Sequence, residues 1–557
     1  MSKKNTQLSW VIGKIKHRIP MLGLLVLSCM GAAFFSVYFA LGTKGIINAA
    51  TAKDGEMFKI ACLKQFGIIL GIVICNLLTR YFREKLNAEL DRDWKKTLIH
   101  DLLNSDYSAV SNYHSSELVN RLNNDVGTLD GAIVNLLPQL ASMLTRLLCA
   151  LSFLASMSPW FTVVLLVLGG FVVLVTGFLR KRLKGLHKRV SEANGRVSAI
   201  MQETLEKLLI VQAMDISDEI ERRTVLRLDE RFAIVKKRMN ISLASHTCTN
   251  ILFLAAGFVS LVWCAAGLLT GTMDFGTMTA VTQLVNQLQH PFVNLSGVIP
   301  QYIAALAALD RLYELAQLPG TTDLREESVT ELYGMMDGIA AEDLVFAYDR
   351  DKILDGANFS LQKGDFCAVT GPSGIGKSTI LKLLLGIYPP QSGQLYLQCG
   401  DQKIPIDRRT RHLFNYVPQG NLLFSGTIRE NLLVAKPNAS DDEVNQAIYV
   451  STMDEYLSQL PNGLDTELGE SGAGLSEGQA QRLAIGRAIL GGAPIVLLDE
   501  CTSALDNRTE KLILQRLNEL TNKTFIAVTH RPAAEEICSC KLMMRDGKVC
   551  VSKSTDA

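Results

Sequence analysis

The sequence predicts an all-α transmembrane domain of six helices followed by an α/β domain, and three observations carry this. The 557-residue chain is 48% hydrophobic yet 20% charged, with a mean hydropathy of +0.19. That is too apolar for an ordinary soluble enzyme and too charged for a pure membrane bundle. Long uncharged runs fill the first half and stop near Leu309. In the second half a glycine-rich loop lies between an apolar stretch and "ILKLLLGIY", as a strand–loop–helix unit requires.

A bilayer core of about 30 Å needs about 20 apolar residues of helix. Ile19–Thr43, 25 residues without a charge, meets this and is too long for the apolar part of a cleavable signal peptide. Pro159–Leu179, a span within Ile241–Met273, and Phe275–Leu309 also meet it. Gln65–Thr79 and the Gly131–Ser158 region are shorter or interrupted and supply the remaining two. Basic stretches follow span two (Arg80, Arg83, Lys85, Arg92, Lys95, Lys96) and span four ("RKRLKGLHKR" from Arg180). The short turns Ser156–Ser158 and Thr270–Asp274 contain no Lys or Arg. This asymmetry places the basic stretches and both termini in the cytoplasm. The connections after spans two and four read as helix, with Leu118, Val119, Leu122, Val126 and Leu129 at helical spacing in the first. Long polar-faced helices there carry the bundle beyond the membrane.

A net charge of +1 gives no field that points to nucleic acid. The 12 cysteines are scattered. Cys538 and Cys540 are close, but CSC is not a zinc spacing, so all read as reduced thiols.

"VTGPSGIGKST" spans Val369 to Thr379. Its spacing, Gly371-x4-Gly376-Lys377-Ser378, fits a phosphate-binding loop. Gly371, Pro372, Ser373, Gly374, Ile375 and Gly376 let the backbone wrap phosphates, and Lys377, Ser378 and Thr379 open a helix whose N-terminus favours anions. Lys377 suits the β- and γ-phosphates and Ser378 suits Mg2+. "IVLLDE" is an apolar strand ending in two carboxylates. Asp499 suits the Mg2+ shell and Glu500 a general base that polarises water. The cofactors expected are ATP and Mg2+, on an α/β P-loop NTPase domain.

These residues carry a resemblance. The second half resembles the nucleotide-binding domain of an ABC transporter, and the chain as a whole resembles an ABC exporter half-transporter. The resemblance implies that Tyr348 in "LVFAYDR" stacks on adenine. It implies that Gln419 in "YVPQ" links Mg2+ and water to the membrane domain, and that His530 in "AVTH" meets the γ-phosphate. "LSEGQ" resembles the family signature, which assigns Ser476, Gly478 and Gln479 to nucleotide, and "SALD" ending at Asp506 resembles the loop between two nucleotide domains. The family sets two such domains head to tail, so a second half-transporter, self or related, is implied. It also implies coupling helices, expected near Asp106–Tyr113 and Met214–Glu219.

The signature has Glu477 where the family usually has Gly. An outward Glu477 at a helix start favours the helix dipole. An inward one would repel a γ-phosphate and mark an asymmetric heterodimer in which this chain, with Glu500 intact, is the competent subunit. Both readings stand at this point.

Gln283, Asn286, Gln287, His290, Asn294 and Gln301 form a polar stripe along span six. Asn135, Gln139, Ser142 and Arg146 form another on span three. They read as a wet cavity whose Arg146 attracts an anionic amphiphile, or as helix–helix hydrogen bonding. The domains expected are 1–318 for the membrane part, 319–338 for a linker and 339–557 for the ATP domain. The function expected is ATP-driven export or flipping of a drug, lipid or peptide across a bacterial cytoplasmic membrane. A nucleotide-gated channel or regulator is the minor alternative.

Overall fold

The computed structural model describes the backbone of residues 3–320, 329–348, 351–420, 423–469 and 472–553. The chain divides into two compact units. One holds Met1–Leu103 and His114–Gln317, and the other holds Asn104–Tyr113 and Leu318–Ala557.

The first unit is built from six long helices: Ile19–Thr51, Gly55–Leu103, Ser115–Met157, Pro159–Glu206, Ser217–Leu269 and Phe275–Ala316. A short helix, Lys3–Ile15, precedes them. The 49 residues of Gly55–Leu103 reach about 75 Å, more than twice the depth of a bilayer core. Among the described residues, Thr6–Thr51, Gly55–Leu103, Ser115–Met157 and Ser217–Leu269 are long and apolar enough to cross a membrane. The other two expected spans fall in Pro159–Glu206 and Phe275–Ala316, where the side chains at 171–182 and 289–297 lie outside the described residues.

Helix starts follow local chemistry. Ser158 is extended, its hydroxyl accepts from the Phe161 amide at 3.3 Å, and Pro159 takes the first helical position. Asp274 accepts from the Thr277 amide at 2.6 Å. Leu86, Leu90, Trp94 and Leu98, four residues apart on one helix face, bury against Val11, Ile15, Leu309 and Leu312.

The sequence pattern gave no sign of two π-helical turns, Arg121–Asp125 and Ala132–Leu136, within the third long helix. Such turns re-aim side chains and often sit at functional positions. The first carries ion pairs that tie it to Phe275–Ala316. Asp125 accepts from Arg311 Nε and Nη2 at 2.7 and 2.6 Å, and Arg121 donates to Glu117 at 2.7 Å and Glu314 at 3.1 Å.

The second unit is α/β. Its main sheet has six strands in the order Lys548–Lys553, Cys540–Arg545, Phe366–Thr370, Thr524–Val528, Ile495–Asp499, Phe414–Val417. All neighbours are parallel except the first pair. The central strands are apolar and buried, as strands covered on both faces must be. An antiparallel sheet of Asp351–Gln362, Gly338–Tyr348, Ser392–Cys399 and Gln402–Pro405 shares one apolar core with the helix Lys377–Leu384.

The segment Asn104–Tyr113 groups with this unit. Arg408 Nη1 donates to Asn104 O at 2.7 Å, the Asp106 amide donates to Pro319 O at 2.8 Å, and the Tyr107 ring lies 6.3 Å from that of Tyr388. Tyr107–Val110 is a four-residue helix. The other expected coupling element, Met214–Glu219, is a turn into Ser217–Leu269 that follows the short helix Leu208–Ala213 in the first unit.

Candidate ATP site and membrane cavity

The phosphate loop leaves the strand Phe366–Thr370 and enters Lys377–Leu384. Gly376 sits at φ +104°, and a Cβ there would lie 2.1 Å from Ile353 Cγ2, so this position needs glycine twice over. Lys377 Nζ donates to Gly371 O and Pro372 O, both at 3.1 Å, which holds its charge over the loop.

The strand Ile495–Asp499 delivers both carboxylates beside the loop. Ser378 Oγ donates to Asp499 Oδ1 at 2.8 Å, and the Tyr416 hydroxyl donates to Oδ2 at 3.0 Å. Burial and the adjacent Asp499 push the Tyr416 phenol well above its usual range. Glu500 sits at φ +48°, a left-handed conformation that costs a non-glycine residue about 1 kcal/mol. Its amide donates to Val528 O at 3.1 Å. Its carboxylate accepts from Gln419 Nε2 at 2.8 Å and lies 3.8 Å from His530 Nε2. Ser378, Asp499, Glu500, Gln419 and His530 are thus brought together. The Tyr348 ring packs edge-on against Tyr388, 5.3 Å between centroids, and against Phe346 at 4.9 Å.

Ser378 and Asp499 are hard oxygen donors of the kind Mg2+ takes. One hydroxyl and one carboxylate suit an ion that keeps waters and shares phosphates rather than one held in a protein cage. Among the described residues, no group of three or more His, Cys, Asp or Glu could hold a metal by itself.

The signature residues form a separate helix start. Ser476 caps Glu477–Leu490: its hydroxyl accepts from the Gln479 amide at 3.3 Å, and Gln479 Oε1 accepts from the Ser476 amide at 2.8 Å. This accounts for a Ser-x-x-Gln pattern around Glu477, which is exposed in the first turn. A Cβ at Gly478 would lie 3.0 Å from Ala504 O, so the helix packs directly on the "SALD" loop. Asp506 caps the next helix, Asn507–Asn518. The Thr509 amide and hydroxyl and the Arg508 amide hold its carboxyl below the usual range.

Sequence reasoning missed the side chains that brace this loop. Gln481 Nε2 donates to Ser503 Oγ at 3.0 Å, and Gln481 Oε1 accepts from the Ala504 amide at 3.1 Å. From the other side Arg531 donates to Ser503 O, Leu505 O and the buried Glu510. A basic residue directly after His530 was the available signal. Tyr416 was missed too, although it lies in the quoted "YVPQ".

A cavity of about 670 Å3 opens in the first unit. Asn135, Gln139, Ser142 and Arg146 line it, together with Arg83 and Gln301 from other helices. Among the described residues, no carboxylate lines it. Arg146 Nε is buried without a hydrogen-bond partner. Gln283 and Asn286 do not line this cavity; Gln283 is half-buried and Asn286 exposed. The side chains of His290 and Asn294 lie outside the described residues. Among the described residues, the polar wall therefore comes chiefly from the third long helix, which carries the two π-helical turns.

Comparisons with known proteins accord with this architecture. Residues 19–292 match the family model described as the ABC transporter transmembrane region, and residues 354–503 match the ABC transporter model. An uncharacterized ABC transporter ATP-binding protein of Sinorhizobium fredii is 27% identical over 549 residues, covering 96% of this chain and 92% of that protein. An ATP-dependent lipid A-core flippase of Desulfotalea psychrophila is 26% identical over 470 residues, covering 84% and 82%. A mycobactin import ATP-binding/permease protein of Mycobacterium tuberculosis is 35% identical over 292 residues, 51% of this chain and 49% of that protein. The structure of a bacterial Atm1-family ABC exporter with ATP bound superposes with a TM-score of 0.81 at 23% identity, covering 97% of this chain and 96% of that one, a likeness of fold. The chain belongs to the ABC transporter family, as a multi-pass exporter-type half-transporter whose ATP hydrolysis is coupled to transport and whose fold calls for a partner subunit.

Proposed function

We propose that this chain exports or flips an amphiphile with an anionic group across a cytoplasmic membrane, working as a dimer of identical half-transporters. The observation that carries the substrate class is the cavity with Arg83 and Arg146 on its wall and, among the described residues, no carboxylate to neutralise them. A buried guanidinium nitrogen without a partner, as at Arg146 Nε, is costly, and an anionic ligand would satisfy it. At about 670 Å3 the space suits a small amphiphile, drug, lipid headgroup or peptide. One relative is named a lipid A-core flippase, which agrees with an anionic amphiphile.

Glu500 is the general base toward the attacking water, oriented by Gln419, with His530 toward the γ-phosphate and Lys377 on the phosphates. Tyr348 stacks on adenine. Ser476, Gly478, Gln479 and Asp506 serve the partner's nucleotide. Ser378 and Asp499, with Gln419, would hold Mg2+, which would supply neutralisation of phosphate charge when ATP is bound. Both termini and the ATP domain lie in the cytoplasm, as the basic stretches require.

An apolar tip supports a partner. Leu205, Leu209 and Met214 are 70%, 79% and 65% exposed at the turn of the second long hairpin, more than a lone chain would leave in water. Identical subunits are favoured because Glu500 is present and Glu477 lies on the surface without disturbing the Ser476 cap. An asymmetric pair is the second reading, favoured by the glutamate itself.

The test is stimulated ATPase activity in nanodiscs with matched amphiphiles that differ only in an anionic headgroup. The anionic member should stimulate more, and Arg146→Ala with Arg83→Ala should erase the difference. Equal stimulation by both members in the wild type would refute the anionic class.

A further inference from the structure

Tyr416 has no part in the reading so far, yet it touches the metal site. Its strand, Phe414–Val417, runs parallel to Ile495–Asp499 with Tyr416 opposite Leu497 and Val417 opposite Leu498. Side chains alternate along a strand, so Tyr416 and Asp499 share a face and stand diagonal to each other. The phenol bridges that diagonal at 3.0 Å to Oδ2, while Oδ1 accepts from Ser378 at 2.8 Å. Asp499 is 2% exposed, so donors such as these must offset the solvation it has lost. With one donor on each oxygen, the carboxylate cannot rotate without breaking both bonds.

We infer that Tyr416 is a positioning residue for the metal site: its hydroxyl fixes the Asp499 carboxylate so that Oδ1 stays on the Ser378 side, where the Mg2+ of Mg-ATP would be held. The inference rests on the reading of Ser378 and Asp499 as Mg2+ partners. A phenylalanine or leucine in the same strand would fill the space and leave Oδ2 without this donor. The same segment then delivers Gln419 to Glu500. One stretch of chain, Tyr416 to Gln419, thus sets both carboxylates at the end of Ile495–Asp499, and a displacement of it would disturb metal and base together.

The test uses the full chain in nanodiscs, in a Glu500→Gln background that stops turnover. Mn2+ serves as the paramagnetic probe, titrated in the presence of ATP, and ATP affinity is measured separately in EDTA. Tyr416→Phe should weaken Mn2+ binding about 10-fold, the usual cost of losing an outer-shell partner, and leave the EDTA affinity unchanged. Asp499→Asn should weaken Mn2+ binding more. If Asp499→Asn loses Mn2+ and Tyr416→Phe does not, Tyr416 does not position the site. A parallel loss of ATP affinity in EDTA would also overturn the inference, since Tyr416 would then be a packing residue of the nucleotide pocket. If Asp499→Asn binds Mn2+ as the parent does, the Mg2+ reading itself fails and this inference with it.

Discussion

Gln419 donates from Nε2 to Glu500 Oε2 at 2.8 Å, and the residue that accepts stands at φ +48°. The left-handed turn is where the strand Ile495–Asp499 stops, and the Glu500 carboxylate lies beside Gln419 and His530. The Val528 carbonyl and the Gln419 amide hold it there. Gln419 is therefore expected to act on rate and not on affinity. Gln419→Ala should lower kcat about 10-fold with little change in KM for ATP, as loss of an interaction that orients the base requires. A rise in KM with kcat preserved would assign Gln419 to ATP binding instead.

Arg531 is expected to be a stability residue. It donates to Glu510, which is 1% exposed, and to the carbonyls of Ser503 and Leu505. Arg531→Ala leaves that carboxylate with Thr502 alone from this group. Because the arginine is itself partly exposed, the cost should fall below that of a fully buried pair, at about 2 to 3 kcal/mol, read by thermal or denaturant unfolding. Unfolding indistinguishable from wild type would show that the loop is braced by other contacts.

Glu477 should be dispensable and Ser476 should not. The glutamate is exposed in the first turn, whereas Ser476 and Gln479 close the helix start through two reciprocal hydrogen bonds. Glu477→Gly is expected to leave ATPase activity near the wild-type value. Ser476→Ala should lose a cap worth about 1 kcal/mol and lower activity as well. A large gain of activity in Glu477→Gly would favour the asymmetric heterodimer.

The thiols should react in order of exposure. Cys501, next to Glu500, is buried, and burial pushes its thiol up to about 12. Cys367 is raised as well, first by its hydrogen bond with Cys540 and then by burial. A raised value keeps a thiol protonated until the pH approaches it, and the thiolate is the nucleophile. Maleimide at pH 8 should therefore label exposed Cys550 and spare Cys501 and Cys367 until the domain unfolds. Peptide mass mapping reads this directly, and early labelling of Cys501 would contradict the packing around Glu500.

The features legible in the sequence have short-range causes. Apolar length fixes a span, and glycine spacing fixes the phosphate loop. The run "IVLLDE" places Asp499 and Glu500 at a strand end without knowledge of its neighbours. What stayed hidden depends on which elements become neighbours. Tyr416 meets Asp499 only because Phe414–Val417 pairs with Ile495–Asp499. Arg531 meets Glu510 across a loop, and Arg83 meets the Arg146 cavity from another helix. The π-helical turns at Arg121–Asp125 and Ala132–Leu136, the first of them ion-paired to another helix, are departures that hydrophobic periodicity does not register. For this reason the helical stripe on span six suggested a cavity wall at Gln283 and Asn286, while the cavity described here uses span three and Gln301.

The central claim is that this chain alone builds a working ATP site in which Glu500 is the base. It is tested most directly by Mg-ATPase activity of the chain purified by itself in lipid nanodiscs, with Glu500→Gln as the blank. The account predicts clear turnover that falls at least about 100-fold in the blank while ATP binding persists. Folded protein that binds ATP and shows no turnover would contradict it and require a different partner subunit to complete the site.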